Sequence, residues 1–201
     1  MAAISLLLNT ESCSRISGTA EYRSWGKSDL TGPPKTIQTV EFVVDNELDT
    51  WSERKSVFGK SHRYSRESGQ ELVDDNGGLI NPKPPSEFAH WPLLIKMLKP
   101  SKFPIWGRPG DKWQMAGAES IEHGYLMHLN RDASTPVAEL FISTTFSLPI
   151  RWTEVYPIGP EIGMKHEVEI LALHIPREWK ILTGMDMSEE GQDMIGDQLS
   201  R

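Results

Sequence analysis

VAELFISTTFSL, residues 137–148, decides the fold. Ala138, Leu140, Ile142, Phe146 and Leu148 fall on one side of an extended chain, the period of two that marks a strand with one buried face. Working outward, TIQTVEFVVD at 36–45 sets Val40, Phe42 and Val44 on one face and Thr39, Glu41 and Val43 on the other. SIEHGYLMHL at 120–129 groups Ile121, Tyr125, Met127 and Leu129. HEVEILALHI at 166–175 begins by alternating and then turns apolar on both faces, as a central strand does. Weaker strand patterns lie near 4–8, 18–25, 55–64 and 150–156.

Turn residues separate these runs. GPP at 32–34 precedes a strand, and DDNGG at 74–78 reads as a hairpin turn because Asn and Gly tolerate positive φ. NRDASTP at 130–136 reads as a hairpin loop and YPIGPEIG at 156–163 as a long rigid loop. Helix is scarce. Trp91, Leu94, Ile95 and Leu98 recur at helical spacing, with Lys96 and Lys99 off that stripe, Pro92 tolerable in a first turn and Pro100 a stop. Ser86 caps a longer version of this helix, and a second, acidic helix is expected over 188–199. The expected fold is mainly β (α+β): an antiparallel sandwich or barrel of about eight strands with one short helix inserted near 86–99. The expected organisation is one β-rich domain over 1–185 and an acidic tail over 186–201.

The composition, 38% hydrophobic and 24% charged, is that of a globular chain. The one cysteine, Cys13, excludes an intrachain disulfide and reads as a small apolar residue near a strand end. The apolar run Ile4–Leu8 is too short for a signal peptide, and no run reaches the roughly 18 residues of a membrane span. The expected location is the cytoplasm, or a virion assembled there, without secretion.

No linear motif names a reaction. His123 and His128 are five apart and His166 and His174 eight apart, so neither pair chelates by itself, and no metal or cofactor is expected. GRPGDK at 107–112 is Gly-rich and basic, but Pro109 removes an amide that a phosphate would need. Glu167 and Glu169 share a strand face, which suits paired-carboxylate chemistry and suits a solvated face better.

One segment departs from its surroundings. HWPLLIKMLKPSKFPIWGRPGDKW at 90–113 holds three Trp, four Pro and five Lys or Arg against one acid, Asp111. Residues 50–112 carry 11 Lys or Arg against 7 Asp or Glu, in a chain of net charge −7 whose residues 113–201 carry 6 against 14. Trp91, Lys96, Lys99, Lys102, Phe103, Trp106, Arg108, Lys112 and Trp113 are the candidate interaction residues. They fit a subunit contact with an acidic neighbour, an interfacial membrane segment, a phosphate-and-stacking groove for nucleic acid, or a cap that buries its tryptophans in the core. The function expected is that of a non-enzymatic, self-associating structural protein, a homo-oligomer of the class of virion matrix, tail or capsid subunits. The alternatives are a small soluble enzyme or ligand-binding β-barrel, and a peripheral membrane- or nucleic-acid-binding protein acting through 90–113.

Overall fold

The computed structural model describes residues 1–26, 30–55, 60–74, 76, 78–79, 91–131, 137–159, 162–176 and 193–194. The strands are β1 (Arg15–Trp25), β2 (Thr36–Asp45), β3 (Thr50–Lys55), β4 (Ser61–Ser65), β5 (Gly69–Val73), β6 (Gln114–Ile121), β7 (Gly124–Asn130), β8 (Val137–Ser143), β9 (Leu148–Gly159), β10 (Ile162–His174) and β11 (Asp193–Met194). The helices are α1 (Ala2–Asn9) and α2 (Leu93–Leu98). The fold is mainly β, and every strand pairing is antiparallel. All the strands join one sheet in the order β5-β4-β3-β2-β1-β10-β9-β8-β7-β6, with the short β11 beside β10.

Register sorts the side chains onto two faces. Ala20 stands opposite Val40, and Ile16 opposite Val44. Val168 stands opposite Trp152, and Trp152 opposite Leu140. All of these are buried, and with Ala3 and Leu7 of α1 and Leu94, Ile95, Met97 and Leu98 of α2 they form one apolar cluster. The sheet therefore covers its helices with one face and turns the other outward. The outer face is polar: Glu21, Arg23, Glu167 and Glu169 are neighbours across β1 and β10. Gly18 marks a close approach of those two strands, since a Cβ there would collide with the Ala172 carbonyl.

Several expectations change. Residues 4–8 belong to a helix and not to a strand: Ala3 and Leu7, four apart, are the buried pair, and Ala and Leu favour helix. The run 120–129 is a hairpin. Ile121 ends β6, Glu122 and His123 turn the chain with His123 at φ 61, and Gly124 opens β7. Ile121 thus lies on the opposite arm from Tyr125, Met127 and Leu129, facing Gly124 and exposed at the sheet's edge. The run 137–148 breaks at Thr144–Ser147, where Ser147 takes φ 53 and sends Leu148 into β9; Phe146 and Leu148 still reach the core from the far side of that turn. The expected 156–163 loop is mostly strand, since β9 continues to Gly159 and β10 starts at Ile162. Near 55–64 there are two strands, and β5 was not anticipated. Within the expected 188–199 helix, Asp193 and Met194 pair with Leu173 and Ala172 instead. The rest of that helix and of the 186–201 tail, together with the Ser86 cap, lies outside the described residues.

The central position of β10, between β1 and β9, agrees with its apolar second half. The 74–78 turn is present: the Asp74 carboxylate accepts the Asn76 and Gly78 amides, and Leu79 bridges back to Val73.

Candidate functional site

The segment 91–113 is built around its own apolar residues. Pro92 precedes α2, the ring of Pro100 ends it, and Leu94 and Leu98 are fully buried, as their spacing requires. Trp91 packs edge-on against Trp51 and tilted against Tyr64, with centroids 5.5 and 4.9 Å away. Phe103 and Trp113 meet Trp152 edge-to-face at 5.1 and 5.5 Å. These contacts place Trp91, Phe103 and Trp113 in the core, where they reach no partner surface.

The cations divide. Lys99, expected to reach solvent or a neighbouring molecule, is 4% exposed and donates to Asp49 Oδ1 at 2.8 Å. Asp49 sits in the β2–β3 turn at φ 51 and also accepts from Arg66 Nε at 3.0 Å. Burial raises the Asp49 carboxyl, but the bonds from Lys99 and Arg66 outweigh it and hold the group below the ordinary carboxylate range. Arg108 is exposed, yet it donates to the carbonyls of Ser101 and Phe103, each at 2.6 Å, and pairs with Asp111. Lys96 and Lys102 are half-buried, and Lys112 is exposed at the loop's end. Burial, and then the charge of Lys112, lowers the Lys96 ammonium. Trp106 is half-buried, its indole donating to the Pro100 carbonyl at 2.7 Å.

Asp111, the segment's one acid, organises the Gly-rich loop. One of its oxygens accepts the amides of Trp106 and Arg108, both at 2.9 Å, while Gly107 and Gly110 supply the positive φ the loop needs. The amides that an anion would use are thus taken by the protein's own carboxylate.

Sequence reasoning missed a buried polar couple beneath this segment. Glu53 of β3 is 2% exposed and accepts from the Tyr22 hydroxyl of β1 at 2.7 Å, while the Leu94 amide of α2 donates to that hydroxyl at 3.4 Å. The indole N–H of Trp51, two residues before Glu53 and on the same face, has no hydrogen-bond partner among the described residues. The period of two in Trp51 and Glu53 was the available signal, but a Glu in such a pattern reads as solvent-facing. Burial holds the Glu53 carboxyl above its ordinary value, against the opposing bond from Tyr22 and the charge of Lys55. The fold therefore favours the protonated form. The contribution to stability is complete below the ordinary carboxyl pKa and is lost as pH rises through the raised folded value. Glu53→Gln keeps an acceptor for Tyr22 and removes the charge. It should raise the thermal midpoint at about pH 7 and converge on wild type in acid near the ordinary Glu pKa of about 4.3. Scanning calorimetry across that range checks this; a lower midpoint at neutral pH would mean that the carboxylate is the favoured form.

On the outer face, Glu167 and Glu169 are not a free carboxylate pair. Arg23 bonds both and Glu21 as well. Burial opposes the Arg23 charge, and these three carboxylates more than restore it. Among the described residues no group of three or more His, Cys, Asp or Glu is arranged to hold a metal ion. No described helix is long and apolar enough to cross a membrane.

Charge is uneven along the strand order. Toward one side, the β3–β4 hairpin carries Arg54, Lys55, Lys60 and Arg63, and its acid, Glu53, is buried; the terminal strand β5 lies beyond it, and its Glu71 pairs with Arg63. At the other end, β6 to β8 present Glu119, Glu122 and Glu139 with no Lys or Arg between Gln114 and Asn130. There His128 lies between Glu119 and Glu139, at 3.3 and 3.5 Å. All eight residues of β6 are exposed.

No protein-family model matches this chain. No curated protein sequence matches it. Among solved structures, it is similar to an uncharacterized conserved protein from Thermus thermophilus, at 10% identity and a TM-score of 0.48 over 94% of this chain and 96% of that one. It is also similar to a LolA superfamily protein from Nitrosomonas europaea, at 9% identity and a TM-score of 0.38 over 87% of this chain and 93% of that one. At these values neither likeness bears on what the chain does.

Proposed function

We propose that this is a non-enzymatic structural protein that self-associates, the basic β3–β4 hairpin of one copy meeting the acidic β6–β8 end of the next. The supporting observation is that Arg54, Lys55 and Lys60 lie toward one side of the strand order, while Glu119, Glu122 and Glu139 lie at the β6–β8 end. Such a contact is heterologous and favours rings or open chains of copies. Virion matrix, tail or capsid subunits are the class of assembly to which this reading assigns the protein. Of the basic segment 90–113, Lys96 and Lys102 are half-buried and Lys112 is exposed, and all three join the test below.

Light scattering on a sizing column, across a concentration series, tests this. The mass should rise with concentration at low salt and fall back as the Debye length shortens from about 10 Å at 0.1 M to about 3 Å at 1 M. A constant monomer mass at low salt rejects self-association. Binding of anionic vesicles or single-stranded oligonucleotide, lost in a Lys96→Glu, Lys102→Glu, Lys112→Glu variant of unchanged mass, would move the protein to the membrane- or nucleic-acid-binding class.

A further inference from the structure

We infer that the free edge of β6 is a strand-addition site for an extended, cationic segment of another polypeptide. β6 pairs with β7 on one side, and it ends the strand order. Among the described residues only Gln114 has a bridge on the other side, to Trp106. Residues 115–121 therefore present a row of backbone N–H and C=O groups with no described strand beside them.

Proteins protect such an edge with Lys, Pro or a bulge. β6 has neither Lys nor Pro, and its bulge falls between Met115 and Gly117, leaving Gly117–Ile121 in regular register. The side chains here are small: Ala116, Gly117, Ala118 and Ser120 leave room for an approaching main chain. The two largest, Met115 and Ile121, are exposed apolar groups at the ends of this stretch. The other terminal strand offers less, because the chain after β5 turns back and Leu79 bridges Val73.

Charge selects the occupant. Glu119 on β6, which also contacts His128 of β7 at 3.3 Å, and Glu122 in its turn lie along the edge, and the chain as a whole is −7. A second β6 would bring like charges together, whereas alternating cationic and apolar side chains match Glu119 on one face and lie over the small residues on the other. Main-chain hydrogen bonds would supply affinity, and the carboxylates selectivity and a salt-dependent on-rate.

The test uses the whole protein and a fluorescein-labelled eight-residue peptide of alternating Lys and Val. Controls are the same peptide N-methylated at alternate backbone nitrogens and a Glu–Val counterpart. Fluorescence anisotropy should show saturable binding of the Lys–Val peptide, weakened by salt and several-fold weaker to Glu119→Gln. The N-methylated and Glu–Val peptides should fail to bind, and amide shifts in the NMR spectrum should concentrate in residues 115–121. Equal binding of the N-methylated peptide would reduce the effect to charge attraction and overturn strand addition, as would shifts centred on another strand or no binding of the Lys–Val peptide. Loss of peptide binding in step with a rising mass would assign the edge to a second copy instead. Self-association is read from mass without peptide, so either proposal can fail while the other stands.

Discussion

Leu140→Asp should yield no folded protein. Leu140 lies in the middle of β8, fully buried, with Met127 and Trp152 as its cross-strand neighbours on the inner face. Those neighbours are apolar and offer no cation to pair with an introduced carboxylate. The group must either ionise without compensation in an apolar site or stay protonated with its polar atoms unbonded, and either course costs several kcal/mol. Typical domain stability is about 5–15 kcal/mol, so one such change can remove most of it. Far-UV circular dichroism and the elution volume of the purified variant decide the matter. A soluble variant with a strand spectrum and a cooperative melt near that of wild type would mean that the inner face of β8 is wrongly assigned.

Trp152→Ala has the next largest expected effect. Trp152 is fully buried on β9, and its ring is the surface that Phe103 and Trp113 both meet edge-on. Removing it opens a cavity under the loop 100–113 and takes away the anchor for the segment's last two core aromatics. The expected cost is about 3–5 kcal/mol. In a chain of this size that lowers the thermal midpoint by on the order of 10 °C. Because Phe103 and Trp113 lose a common partner, Phe103→Ala and Trp152→Ala should cost less together than the sum of the two alone. Denaturant melts of the two single variants and the double variant measure the coupling. Additive losses would show that the two rings do not act as a unit.

The same contacts explain how the basic, aromatic segment came to sit in an acidic protein. Trp91, Phe103 and Trp113 are core residues. Lys99 is matched by Asp49, and Arg108 by Asp111 and two carbonyls. Much of its positive charge is thus answered within the molecule.

By itself, the sequence determined the class of this fold and the inward faces of its best strands. A strand with one wet face must alternate, so Val40, Phe42 and Val44, and likewise Ala138, Leu140 and Ile142, could be assigned to the interior from the chain alone. The stripe Leu94, Ile95, Leu98 did the same for α2, because helical spacing and the flanking prolines are local facts. Tertiary structure decided the rest, wherever a residue's role depends on a neighbour distant in the chain. Alternation resumes in phase after two tight turns, so residues 120–129 and 137–148 look like single strands until His123 and Ser147 are seen at positive φ. Glu53 faces inward because Tyr22, 31 residues earlier, offers it a hydroxyl. Lys99 is buried because Asp49, 50 residues earlier, receives it. Among the described residues, β6 has a strand on one side alone because the strand order places it last in the sheet. Period and propensity are properties of a short stretch of chain, whereas pairing partners and sheet edges arise only when distant stretches meet.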